Sequence, residues 1–436
     1  MNSAAPAPGE MLSETPDGEQ IQQLLQFLTA AGTLTLPQPI NGLFAAAAAS
    51  GDDFAASGYS NAWVRDNVHI AHAQLVAGNL QYAITIQQRL SEFFHRHRQR
   101  FLNVIAEPAR AADPMQRPHI RFNPVTLDEL PETWAHAQND ALGAFLWISC
   151  LLVRAGHTPI TPRIREVILL LLQYWEAIDI WEDEDSGHWE EQRKVAASSV
   201  GCVLAGLSQL QQLLQNSSLA AALNFRPPDL QRLHTLQQNC HASLLQILPW
   251  ECRQSDPTKQ RRYDAALLFL IYPLNIIQDR SHEDQIIADV CEHLQGPHGI
   301  RRYPGDSYWC ADYRQLLSAD QRTADFSDDL SVRNQLLQPG GEAQWCLFDP
   351  VLSCIHGRRY RESGAAADRR LQLLHLGRSL QQLSPPGGRV PAYRCPESWF
   401  CEQGVWQPND LTPLLWTQQN LLQALHLLQE TTAAVL

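Results

Sequence analysis

The sequence predicts an all-α protein, an (α/α)6 barrel made as a toroid of about six helical hairpins. Three observations predict it. Apolar residues recur at helical spacing along almost the whole chain, and strand signals are few and short. Polar clusters rich in Trp, Arg and carboxylates each stand just before an apolar helix: NAWVRDN (61–67), ETWAHAQND (132–140), DSGHWEEQRK (185–194), KQRRYD (259–264), GGEAQW (340–345) and PESWFCEQ (396–403). They follow one another at roughly 50 to 80 residues, the length of one helical hairpin with its loops. When hairpins wind round a ring, every second helix starts at the same end. The clusters then converge on one mouth.

In chain order, MNSAAPAPGEMLSETPDGEQ lacks a basic stretch followed by an apolar run and reads as a flexible tail, not a signal peptide. Residues 1–18 are assigned to that tail and 19–436 to one barrel domain. Helical periodicity marks 20–31, 67–100, 138–155, 163–177, 194–215, 229–247, 263–274, 283–295, 342–356, 367–383 and 413–429. LGAFLWISCLLV (142–153) is apolar nearly all round, so it reads as a helix enclosed by others. VRDNVHI alternates briefly but runs straight into a helix. Pro and Gly fall between the helices, at Pro37–Pro39, Pro124–Pro131, Pro227–Pro228, Gly296–Pro297 and Pro385–Gly388.

Composition narrows the function. Hydrophobic residues make up 44% of the 436, enough for a large core. A net charge of −13 argues against nucleic acid and against an anionic membrane surface as partners. No stretch supplies about 18 uninterrupted apolar residues, so no membrane span is expected, and the compartment is expected to be the cytoplasm. Cys150, Cys202 and Cys354 lie within apolar stretches and read as buried free thiols. No metal is expected: the closest histidines, His95 and His97, are two apart on a helix and do not share a face. GxSxG, HExxH and GxxxxGK[ST] are absent, as is a GxGxxG after a strand.

The clusters suit sugar. An indole face covers the apolar C–H side of a pyranose while charged side chains take its hydroxyls. Trp63, Trp134, Trp189, Trp345 and Trp399 all lie in the clusters. Cleaving a glycosidic bond needs two carboxyl groups, one to protonate the leaving oxygen and one to activate water or attack carbon. Glu190, between Trp189 and Glu191, is the first candidate, set against a plain solvated acidic loop over 182–191. Glu397 is the second, with Glu402 its rival.

Together these segments resemble glycoside hydrolase family 15, the glucoamylases, and the related N-terminal domain of phosphorylase kinase regulatory subunits. The resemblance runs from about residue 40 to the C-terminus. AWVRDN (62–67) looks like the family's W-x-RD segment, which implies sugar contacts from Trp63, Arg65 and Asp66. Residues 118–147 are similar to its W-x-x-x-Q-x-D segment and imply Trp134 over the site, with Gln138 and Asp140 beneath it. DSGHWEEQ (185–192) resembles the segment carrying the general acid, which implies Glu190 in that role rather than Glu182 of IWED (180–183), with Glu191 near the leaving group. GIRRYPGDSYW (299–309) and GEAQWCLFDP (341–350) imply Arg302, Glu342 and Trp345 as substrate contacts, and PESW implies Glu397 as general base. The resemblance implies an inverting, exo-acting α-glucoside hydrolase that needs no cofactor and releases β-glucose from an α-glucan or α-glucoside. The wording DSGHWEE, ASSVG (197–201) and EAQWCLF is nearer the kinase-subunit type. That implies the alternative, a catalytically weak glucan-binding regulatory protein. The length leaves no room for the β-sandwich or starch-binding module that some members carry.

Overall fold

The computed structural model describes residues 8–49, 54 and 57–433. Its main helices are α1 (Gly18–Ala30), α2 (Val64–Val76), α3 (Leu80–Arg96), α4 (Gln99–Ala106), α5 (Asn139–Arg154), α6 (Pro162–Ala177) and α7 (Ala197–Leu214). They continue with α8 (Pro227–Ile247), α9 (Leu267–Ile271), α10 (Arg280–Asp289), α11 (Phe348–Ser363), α12 (Ala366–Gln381) and α13 (Leu415–Ala433). Helices α2, α5, α7, α9, α11 and α13 form an inner ring in which each touches the next, and α13 returns to α2. Helices α1, α3, α6, α8, α10 and α12 lie outside it. This is the (α/α)6 barrel that the periodicity predicts.

The inner position explains the apolar stretch at 142–153. Every residue of α5 from Asn139 to Cys150 is buried, because the helix has neighbours on all sides. Its contact with α7 is close enough to need glycine. A Cβ on Gly143 would stand 2.5 Å from the Cys202 carbonyl carbon and the Val203 nitrogen. Cys150, Cys202 and Cys354 are buried and unpaired.

Four helices differ from expectation. The one expected over 342–356 begins only at Phe348, because Gln344 and Trp345 pair as a strand, and runs on to Ser363. The segment 67–100 divides at Gly78, whose φ of +79° ends α2, while the Asn79 N–H closes on the Gln74 carbonyl at 2.8 Å. The helix expected over 263–274 shrinks to α9, since Pro273 cannot continue it. The helix expected over 283–295 is α10 followed by a π turn, Val290–Leu294.

Short strands tie the mouth loops together. β1 (Ala62–Trp63) pairs with β2 (Arg121–Phe122). β3 (Gln344–Trp345) pairs with β4 (Ser398–Glu402), which forms a hairpin with β5 (Val405–Pro408). Gln403 and Gly404, both at positive φ, make the hairpin turn. Of the tail expected over 1–18, residues 1–7 lie outside the described residues; Pro8–Met11 is a short 3-10 helix against α12, and α1 begins at Gly18.

Candidate active site

The loops before the inner helices meet over one cavity of about 720 Å³, its open mouth included. Trp63, Trp134, Trp189, Trp345 and Trp416 line it, with Tyr308. Trp63 is the residue before α2, so its side chain stands at the mouth while Arg65 and Asp66 occupy the first helical turn. Trp63 and Trp134 meet edge to face at 5.5 Å, and the Arg121 guanidinium, delivered by β2, lies 3.9 Å above the Trp134 ring. Such a corner has apolar walls and charged edges, as a pyranose needs.

Arg65 anchors the floor. It donates to Asp140 at 2.7 Å and Gln138 at 3.0 Å, and its other terminal nitrogen pairs with Glu190. Glu190 follows a single 3-10 turn, Gly187–Trp189, and sits at φ 53°, ψ 47°. That left-handed backbone turns Glu190 into the cavity and sends Glu191 the other way. Burial pushes the Glu190 carboxyl up to about 7 despite Arg65 and Arg302, which favour its ionised form. Burial likewise lifts Asp66 to about 6, against the pull of Arg65.

Glu397, immediately before β4, lines the same cavity. Tyr59 donates to one of its oxygens at 2.6 Å and Asn409 to the other at 2.5 Å. The Tyr308 and Tyr59 hydroxyls are 3.1 Å apart. Burial raises Glu397 to about 7; Tyr59, Asn409 and Arg302 oppose that rise, and the charge of Glu190 adds to it. Its rival Glu402 does not line the cavity; it accepts from Arg314 and from Gln407 at the hairpin end. Glu182 is exposed on the surface turn after α6.

Four expected contacts stand behind the wall and do not line the cavity. Gln138 and Asp140 hold Arg65 from beneath, as just described. Glu191, wholly buried, accepts from Tyr303 at 2.5 Å, Arg333 at 2.7 Å and Arg302 at 3.3 Å. Burial alone would raise its carboxyl, but Arg302, Arg333, Arg261 and Lys194 outweigh it and hold it down to about 2. Glu342 takes the Gly305 N–H at 3.0 Å, so it shapes the loop carrying Arg302. Arg302 itself lines the cavity, clamped by two 2.6 Å bonds to Asp306 and packed beside Trp345. Trp399, grouped above with the sugar-facing indoles, faces elsewhere: its N–H donates to the Gln382 carbonyl, because β4 alternates its faces.

Other residues at the cavity were passed over. Tyr308 and Trp416 lie inside segments quoted above, and Tyr59 two residues before the first cluster. Arg333 sits in a stretch without periodicity. Behind the wall, Asp264 accepts the Trp189 N–H at 2.9 Å; it was legible only as the end of KQRRYD. Among the described residues, no group of three His, Cys, Asp or Glu could hold a metal ion.

Comparison with known proteins adds the following. The model for glycosyl hydrolases family 15 matches residues 21–271. A probable phosphorylase b kinase regulatory subunit alpha from Caenorhabditis elegans is 26% identical over 327 residues, 68% of this chain. The chain spans only about a quarter of that relative's length (25%). Among solved structures, a glycosidase variant aligns with a TM-score of 0.66 at 19% identity, covering 95% of this chain and 99% of that one. A glycosidase in complex with glucose aligns at 0.63 and 19%, over 95% and 99%. A glucoamylase from Saccharomycopsis fibuligera aligns at 0.61 and 11%, over 97% of each. At these identities the likeness establishes the fold.

Proposed function

Since the chain belongs to glycosyl hydrolases family 15, we propose that it is an inverting, exo-acting α-glucoside hydrolase of the glucoamylase type, with residues 19–436 as its barrel. One observation carries this reading. Two carboxyls on separate loops, each lifted to about 7, line one aromatic cavity and act on each other electrostatically. When one of them ionises, the other keeps its proton more firmly, so the acid and base forms coexist. Glu397 suits the base, because both of its oxygens accept hydrogen bonds, which favours the ionised form. Glu190 protonates the glycosidic oxygen. Arg65 and Asp66 orient the terminal glucose, and Trp63 and Trp134 cover its apolar face. No helix among the described residues is long and apolar enough to cross a membrane.

The reading is tested by stereochemistry. Glu190 precedes α7 and Glu397 precedes α13, which lie opposite each other in the inner ring. Opposite positions suit the wider separation, roughly 6.5–9.5 Å, that an inverting enzyme needs for a sugar and a water between its carboxyls, against about 5–5.5 Å for a retaining one. The first sugar released from an α-glucoside is expected to be β-glucose, seen by NMR before mutarotation; initial α-glucose would rule the mechanism out. The rate should follow a bell in pH. It is lost in acid as the base takes up its proton, and lost above about 7 as the acid gives its proton up.

The subsite is tested separately. Asp66→Asn should weaken terminal glucose binding by roughly 1.5–3 kcal/mol, the worth of a charge-assisted hydrogen bond. Trp134→Ala should weaken it too, and calorimetry with glucose or an iminosugar reads both. Unchanged affinity in the pair would make these residues packing only.

A second reading has one observation in its favour. The Arg65–Glu190 ion pair favours the ionised form of Glu190, and a carboxylate that has lost its proton has none to give the leaving oxygen. A catalytically weak glucan-binding regulatory protein would fit, and the similarity to a probable phosphorylase b kinase regulatory subunit alpha is consistent with it. Glucose release from maltose or maltodextrin, measured beside ligand-induced thermal stabilisation, separates the two. Stabilisation without turnover favours the second.

A further inference from the structure

The long excursion between Arg302 and β3 does more than connect. Thr323, Ala324, Asp325 and Phe326 line the cavity that holds Glu190 and Glu397. Both flanks of this stretch are pinned. On one side Tyr313 is buried, and its hydroxyl donates to the Arg322 carbonyl at 2.9 Å. The Arg322 guanidinium in turn donates to the carbonyls of Leu317 and Arg314. On the other side Arg333 is buried and donates to Glu191 and to the Ser307 hydroxyl at 3.0 Å. The Arg333 guanidinium also lies 5.6 Å from the Phe326 ring centroid. Asp325 is turned by the bond its carboxylate accepts from the Ser327 N–H at 2.9 Å. Its charge acts on Arg121, the cation stacked on Trp134.

Asp325 and Phe326 therefore share the cavity wall with Trp134, and Asp325 acts on the cation stacked on that indole. A terminal glucose sits at the Arg65–Asp66 floor, so the rest of the substrate must leave through the open mouth. We infer that the pinned segment 323–326 is a specificity-determining wall that limits the leaving group to one or two sugar units, so that the substrates are α-linked disaccharides and short oligosaccharides rather than polymeric glucan. The inference rests on the α-glucoside reading above. Arg333, against the Phe326 ring, is itself fixed by its buried charge-assisted bond to Glu191.

The test compares maltose with maltoheptaose. In the unaltered protein kcat/KM for maltoheptaose is expected to be below about a tenth of that for maltose. Asp325→Ala combined with Phe326→Ala should raise the maltoheptaose-to-maltose ratio at least about fivefold. Both changes fall on half-buried loop positions, and a melting curve checks that the variant folds. A ratio near one in the unaltered protein overturns the inference, and so does a low ratio that the variant leaves unchanged. If neither sugar is hydrolysed, the hydrolase reading fails instead. The wall is then judged by calorimetric binding of the same two sugars, with equal affinities in the unaltered protein overturning it.

Discussion

Glu397→Gln is expected to lower hydrolysis of an α-glucoside at least about 10²-fold while making the protein more stable at alkaline pH. The loss follows from removing the group proposed to take a proton from water. The gain follows from linkage. The folded carboxyl titrates near 7 against an ordinary value of 4.5, so the native state holds a proton that the unfolded chain releases earlier. A pKa raised on folding contributes stability that is full below pH 4.5 and is lost as pH rises through 7. An uncharged amide removes that loss, worth up to about 3 kcal/mol above pH 7 and nothing at pH 4. The site accepts the amide: Asn409 has an unpartnered side-chain oxygen, so its own amide can turn to receive the new N–H. Kinetics and melting curves at pH 4 and pH 8 check both halves. A variant keeping a tenth of its activity would remove Glu397 from the base role, and Glu402→Gln should then be the inactive one.

Glu191→Gln should act in the opposite sense on stability. Its carboxylate sits wholly buried among Arg302, Arg333 and Arg261; Arg302 also pairs with Asp306 and Arg261 with Asp264, whereas the ion pair of Arg333 is with Glu191. Removing its charge leaves the buried Arg333 guanidinium uncompensated, at a cost of about 3–5 kcal/mol. The folded carboxyl, depressed to about 2, contributes stability present above pH 4.5 and lost as pH falls through 2. The substitution should therefore lower the melting temperature at pH 7 and flatten its acid dependence between pH 4.5 and 2. An unaltered melting curve at pH 7 would show that the arginines are solvated or paired elsewhere.

These two neighbours show what a sequence can and cannot carry. That 185–194 belongs to the mouth was legible, because each inner helix starts with its site residues and the spacing repeats. That Glu190 faces the cavity while Glu191 faces a cation cluster depends on one left-handed backbone position, which a run of residue letters does not display. The resemblance implied Glu342 as a substrate contact, and the clusters grouped Trp399 with the sugar-facing indoles; loop geometry and strand pleat turn them elsewhere. Tyr59 and Glu397, separated by 338 positions, share a hydrogen bond that no local pattern announces. The (α/α)6 class was readable because burial on all sides leaves a compositional mark, as in 142–153. Helix lengths were less so, since single residues such as Gly78 and Pro273 decide them.

The closed ring also has a consequence for how the chain comes off the ribosome. Helix α2 finds its last neighbour only in α13, where Gln74 donates to Gln419 at 2.6 Å across 345 positions. At ordinary elongation rates the two are synthesised on the order of half a minute apart. Through that interval the side of α2 that α13 will cover has no permanent cover, and the loop carrying Glu397 has not yet met Tyr59. Closure of so long a loop comes late and slowly, as non-local contacts do. Nascent α2 is therefore a natural client for a holding chaperone, and the acid loop exists in the growing chain well before its base.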